Sequence, residues 1–219
     1  MADPSSRTGA HYGDAAILKY LDGLHAPHDE ALEAAYSAPD RTELWSIQLG
    51  PNEARLLELL MRWTGVRKVV EVGTLAGYSG LRLARGLPKD GHLWTIDNDP
   101  LATRTAQAHF EQAGLADRIT CLQGAARDLL PTLASEHGPF DAVFIDADKG
   151  AYDYYGQWAR ENVRPGGLLI ADNVYLFGNL LEDSDRAAAV RRFHEEASQH
   201  FETVCIPTPD GLLVGRRHG

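Results

Sequence analysis

From Val66 onward the chain alternates short apolar runs with stretches of helical periodicity, and no other feature restricts its fold as strongly. Strand-like runs fall at 67–72, 93–96, 119–122, 141–145, 168–171, 203–206 and 212–216. Helical stretches fit between them at 78–87, 100–113, 126–135, 151–162 and 185–200. Such interleaving predicts an α/β fold built on a doubly wound, mostly parallel seven-stranded sheet. Only Pro207-Thr208-Pro209-Asp210-Gly211 separates the last two runs. That gap is too short for a parallel crossover, so this pair is expected to form a C-terminal antiparallel hairpin.

Ahead of the alternation, residues 1–13 are small and polar and predict a flexible tail. The rest, 14–219, predicts a single domain with a helical N-terminal segment at 14–50. In that segment Ile17, Leu18, Leu21 and Leu24 recur at helical spacing, and a second short helix is expected over about 29–37. Pro51 can open a third helix, with Leu56, Leu57, Leu60 and Trp63 along one side. A chain of 219 residues, 44% hydrophobic, can bury one substantial core. No apolar run approaches the roughly 18 residues of a membrane span, and the first residues lack the cationic-then-apolar order of a signal peptide. A cytoplasmic protein with no membrane partner is expected. Cys121 and Cys205 have no metal-ligand spacing and read as reduced core thiols. The net charge of −10 disfavours an electrostatic grip on nucleic acid.

In an open α/β sheet, ligands bind beyond the carboxyl ends of the strands. The first run leads into Glu71-Val72-Gly73-Thr74-Leu75-Ala76-Gly77-Tyr78-Ser79, a glycine turn opening a helix. Its spacing is G-x-x-x-G, not the G-x-G-x-x-G of dinucleotide folds, and no P-loop lysine follows. A pyrophosphate is therefore a poor fit, while Glu71 suits a cationic ligand. Asp97 lies 24 residues past Gly73, near the distance at which an acid grips ribose hydroxyls. It could instead cap the next helix, a role that Asp99 fills better. Asp146, Asp172 and Asn173 offer oxygen ligands from the ends of two strands, a set suited to Mg2+, Mn2+ or Ca2+ rather than zinc. Helix capping or an ion pair with Lys149 is the alternative. None of the nine histidines falls in these clusters.

Taken together, the glycine turn, Phe144-Ile145-Asp146-Ala147-Asp148-Lys149, Tyr152, Tyr155, Arg164-Pro165-Gly166-Gly167 and Asp172-Asn173 resemble the cation-dependent class I O-methyltransferases. This is the family of catechol and caffeoyl-CoA O-methyltransferases and their small bacterial relatives. The resemblance runs from about Ile47 to Arg216 and implies a Rossmann-like sheet with S-adenosylmethionine (SAM) as cofactor. It implies cofactor contacts at Leu49, Glu71, Gly73, Thr74, Ser79, Asp97, Ala126, Asp146 and Asp148. The metal ligands would be Asp146, Asp172 and Asn173, with Mg2+ the first candidate ion. Lys149 matches the proposed general base, acting beside Asp146. The implied acceptor is a catechol-like small molecule, and the implied assembly is a homodimer whose N-terminal helices shape the substrate mouth.

The chain departs from the plant pattern after Asp172-Asn173. A Leu-Trp-Asn stretch there is replaced by Val174-Tyr175-Leu176-Phe177-Gly178-Asn179, with Phe177 at the asparagine's position. The acceptor pocket should be more aromatic, and Trp45, Tyr175 and Phe177 are candidates to line it, or else core or interface residues. Other readings weigh less. A tRNA hydroxyuridine O-methyltransferase is disfavoured by the acidic charge. A nicotinamide-dependent oxidoreductase is disfavoured by the missing third glycine. A cofactor-binding protein without activity is disfavoured by the intact acidic triad and lysine.

Overall fold

The computed structural model describes residues 13–219, so the expected tail lies, Gly13 apart, outside the described residues. Three helices come first: α1 (Ala15–His25), α2 (Glu30–Tyr36) and α3 (Pro51–Thr64). The alternating part follows as β1 (Lys68–Val72), α4 (Tyr78–Gly86), β2 (His92–Asp97), α5 (Pro100–Gln112), β3 (Ile119–Gln123) and α6 (Ala126–His137). It continues through β4 (Phe140–Ile145), α7 (Tyr152–Asn162), β5 (Val163–Ala171), α8 (Asp185–His200), β6 (Phe201–Ile206) and β7 (Leu212–Arg217). Asp14, Asp29, Asp99 and Ser184 each accept a backbone N–H at the start of α1, α2, α5 and α8, satisfying donors the helix cannot.

The seven strands pair in the order β3-β2-β1-β4-β5-β7-β6. β1 to β5 run parallel, and β7 is antiparallel to both β5 and β6, the expected hairpin. Helices cover both faces, so successive residues of one strand enter different cores. Val69 belongs to the core that holds Leu57, Met61, Leu81 and Phe110, while Val70 belongs to the one that holds Leu130, Tyr152, Trp158 and Phe193. The chain winds outward from β1 to β3 and then crosses back to β4, so the winding reverses between β1 and β4. A crevice opens there, beyond the carboxyl ends.

Three local expectations are corrected. β5 begins at Val163, well before 168, and carries Pro165-Gly166-Gly167 inside it. Gly166 sits at φ +74° and the register with β4 shifts between Phe140 and Ala142. The segment is a bulge of the kind in which a strand tolerates Pro and Gly. On α3 the buried side is Ala54, Leu57, Glu58 and Met61, and Trp63 is exposed. Glu58 on that side is paired with Arg55 and Arg62 of the same helix and with Arg82 of α4, which lets a carboxylate be buried there. Finally, Cys205 is exposed, not a core thiol.

Candidate active site

A cavity of about 1050 Å3 lies over the carboxyl ends of β1, β2, β4 and β5. The β1–α4 turn forms its floor. Gly73 has φ +102°, and a Cβ there would sit 1.9 Å from the backbone oxygen of Asp146. Only glycine lets the turn pass the end of β4 so closely. The backbone N–H groups of Thr74 and Leu75 donate to Asp97 Oδ2 at 3.0 and 2.9 Å, and that of Asp99 donates to Oδ1 at 3.0 Å. Asp97 thus fastens the turn to the end of β2. A carboxylate has about four acceptor sites. Three are occupied here, which narrows what Asp97 has left for a ligand hydroxyl.

Glu71 does not line the cavity. It stands fully buried behind the turn, where Ser79 Oγ donates to Oε1 at 2.6 Å and Oε2 has no partner. Burial above all pushes its carboxyl up to about 7, and the charges of Asp146 and Asp97 push the same way. Leu49, Gly73, Thr74, Ser79, Asp97, Ala126, Asp146 and Asp148 do line the cavity.

At the end of β4, Lys149 Nζ donates to Asp146 Oδ1 at 2.9 Å and lies 4.9 Å from the centre of the Tyr152 ring. Lys149 is only 4% exposed, an amine held out of bulk water beside the cavity. Asp148 accepts the Gly150 N–H at 3.0 Å and so shapes the turn that carries the lysine. At the end of β5, Asp172 is 5% exposed and its Oδ1 has no hydrogen-bond partner. Burial, then the neighbouring Asp146 and Glu53, push its carboxyl up to about 8. Asn173 follows at φ +54° and donates from Nδ2 to Asp210 Oδ2 at 3.2 Å.

Among the described residues no group of three or more His, Cys, Asp and Glu side chains could by itself hold a metal ion. The donor set is instead two carboxylates and the Asn173 amide, all oxygen and incomplete without water or ligand oxygens. It fits a hard cation that keeps part of its own shell. The orphaned buried oxygen of Asp172 and its repulsion from Asp146 are both relieved by positive charge.

The other wall is aromatic. Trp45, 78% exposed, and Phe177, 52% exposed, line the cavity with Leu44, Ile47 and Pro209. Arg186 holds its guanidinium 5.9 Å from the Phe177 ring centre. Tyr175 departs from expectation and does not line the cavity. Its ring packs on Gly211, where an added Cβ would lie 2.5 Å from the ring.

A glycine turn, an acidic pair with a buried lysine and an aromatic mouth now share one crevice. The family model described as "O-methyltransferase" matches residues 25–218. The chain belongs to the O-methyltransferase family. Among its relatives is a catechol O-methyltransferase of Niastella koreensis, 41% identical over 183 residues that cover 82% of this chain and 83% of that one. Another catechol O-methyltransferase, of Mycobacterium tuberculosis, is 40% identical over 202 residues, 90% of this chain and 89% of that one. Among solved structures, the O-methyltransferase TomG of Streptomyces achromogenes, involved in tomaymycin synthesis and in complex with SAM, superposes with a TM-score of 0.87. It is 31% identical and covers 100% of both chains.

In this SAM-dependent O-methyltransferase, Glu53, Asp210 and Arg186 are among the cavity residues that sequence reasoning missed. Glu53 was hidden as a helix-start acid, and in the structure its Oε2 accepts the Gly50 N–H at 3.0 Å. Asp210 was within reach. An antiparallel β7 beside β5 returns the β6–β7 turn to the carboxyl end of β5, and the hairpin was already expected. Arg186 carried no signal, because a cation in the first turn of a helix has no spacing rule to mark it.

Proposed function

We propose that this enzyme methylates one hydroxyl of a catechol-like, vicinal dihydroxy aromatic small molecule with SAM as donor, assisted by a divalent cation, Mg2+ foremost. One observation carries the reading: the Lys149–Asp146 pair at 2.9 Å beside an unpartnered, buried Asp172 oxygen, all facing the cavity that the glycine turn floors. The two catechol O-methyltransferases at 41% and 40% identity support the acceptor class.

Asp146, Asp172 and Asn173 would hold the cation. It supplies Lewis acidity that lowers the pKa of a nearby hydroxyl. The chain's own residues do the rest. The turn from Gly73 to Ser79, pinned by Asp97, positions the donor, and the aromatic mouth at Trp45 and Phe177 orients the acceptor ring. Alignment of this kind removes much of the entropic barrier to an in-line displacement. The acceptor oxygen forms the new O–CH3 bond as the S–CH3 bond breaks, and the sulfonium leaves as a neutral thioether. Lys149, in its uncharged form, takes the phenolic proton at Nζ. Its burial keeps competing water away.

The acceptor test is methyl transfer to catechol, to phenol and to undermethylated tRNA. The reading expects turnover with catechol and little with the other two. Equal rates with phenol would remove the vicinal requirement, and methylation of tRNA alone would replace the acceptor class. We further propose that the enzyme works as a homodimer, with a second copy covering the apolar face of α1. None of the α1 residues is buried in the single chain, and Ile17, Tyr20, Leu21 and Leu24 are exposed.

A further inference from the structure

Asn173 occupies a conformation that an L-residue seldom adopts, φ +54°, directly after Asp172. The β6–β7 turn holds it there. The Val174 N–H donates to the Gly211 carbonyl at 3.1 Å, and the Tyr175 N–H donates to the Asp210 carbonyl at 3.0 Å. The turn itself is closed by the Gly211 N–H donating to the Thr208 carbonyl at 3.2 Å, with Gly211 at φ +77°. The third bond of the clasp is between side chains, Asn173 Nδ2 to Asp210 Oδ2 at 3.2 Å.

That third bond fixes more than the loop. A carboxylate only accepts, so the arm of the amide that faces Asp210 must be the NH2 arm. The carbonyl oxygen then takes the opposite arm of the planar amide. Without Asp210, rotation about the terminal torsion of Asn173 is soft, because such sp3–sp2 torsions are broad and roughly two-fold. Only the oxygen arm can ligate a cation. From this geometry we infer that Asp210 is a positioning residue. It turns the Asn173 amide so that its oxygen, not its NH2 group, is presented to a cation at Asp146 and Asp172, and it thereby sets cation affinity. The inference rests on the metal reading above. Partners of this kind behind metal ligands typically contribute about 10- to 100-fold in affinity.

The plainer role for Asp210 is that of a turn former, since Thr208-Pro209-Asp210-Gly211 has the composition of a β-turn. The two roles separate in Mn2+ titration calorimetry on chelator-treated enzyme without acceptor, with S-adenosylhomocysteine affinity and the melting temperature measured alongside. Asp210→Ala is expected to weaken Mn2+ binding about tenfold or more while S-adenosylhomocysteine binds as before. Asp210→Asn should recover most of the affinity, because its carbonyl can accept the same Nδ2 bond. In an Asn173→Ala background, Asp210→Ala should add no further loss. Should Asp210→Ala fail to fold, Asp210→Gly removes the acceptor while suiting a turn, and the same loss is expected.

Unchanged Mn2+ affinity in the Ala or Gly variant overturns the inference. So does an equal loss when Asn173 is already absent, since that would be a bare effect of charge or of turn stability. A wild-type enzyme that binds no Mn2+ removes the metal reading itself, and this inference with it.

Discussion

Burial leaves the Glu71 carboxyl at about 7, against an ordinary 4.5. Between those values the unfolded chain is ionised while the folded chain keeps its proton. The folded state therefore enjoys this stabilisation in full below 4.5 and loses it as the pH rises through about 7. The loss amounts to at most about 3 kcal/mol for a shift of this size. Glu71→Gln keeps the shape and removes the titration. Urea unfolding of the cofactor-free enzyme should show wild-type stability falling between pH 5 and pH 8 more steeply than that of the variant. Parallel profiles would contradict the buried-acid account. At the same scale, the sequence showed which side chains crowd the strand ends but not which way they face. Asp97 and Glu71 both read as acids facing a ligand. Their difference, one pinning the turn through the Thr74 and Leu75 N–H groups and the other sealed behind it, is set by helix α4 and strand β2 packing around them. Tyr175 and Phe177 show the same limit. They are two residues apart in a loop whose left-handed turn at Phe177 sends one ring onto Gly211 and the other into the mouth.

Among the elements, the β1–α4 turn is the least tolerant of change. Gly73→Ala would place a methyl group 1.9 Å from the Asp146 carbonyl oxygen at a φ of +102°. The turn must move away from β4, and strain of this kind costs on the order of 1–3 kcal/mol before any clash is counted. The variant should lose at least about tenfold in S-adenosylhomocysteine affinity, by titration calorimetry, and melt at a lower temperature. Wild-type affinity would show that the turn does not hold the cofactor. Element identity was legible because strands buried on both faces read as continuous apolar runs, and the helices between them keep their own period. The misreadings came where tertiary contacts override local pattern. The apolar run begins only at 168, yet Pro165-Gly166-Gly167 lies within β5, because the bulge lets β4 keep its partner. Trp63 shares the side of Leu56, Leu57 and Leu60 in the sequence pattern, yet it is exposed while Met61 is buried, and the Glu58–Arg82 pair ties the buried side of α3 to α4.

Over the whole molecule, the sheet order and its reversal between β1 and β4 gather residues from distant parts of the chain into one crevice. The N-terminal segment closes that crevice at Leu44 to Gly50 and leaves an apolar helix face outward. Among the described residues, no helix is long and apolar enough to cross a membrane. A second copy is the proposed cover for α1. Sedimentation velocity should therefore give the mass of a dimer, and Tyr20→Glu with Leu24→Glu should shift it to a monomer. A wild-type monomer at micromolar concentration, or a dimer indifferent to both changes, would contradict that assembly. The central claim is metal-assisted methyl transfer to a catechol. Its most direct test is the initial rate of SAM-dependent methylation of catechol by enzyme stripped with EDTA, followed by stepwise return of Mg2+. The account predicts a rate near zero in the chelator and recovery as Mg2+ is restored, with no recovery when Asp172 is replaced by Ala. Full turnover in EDTA would contradict it.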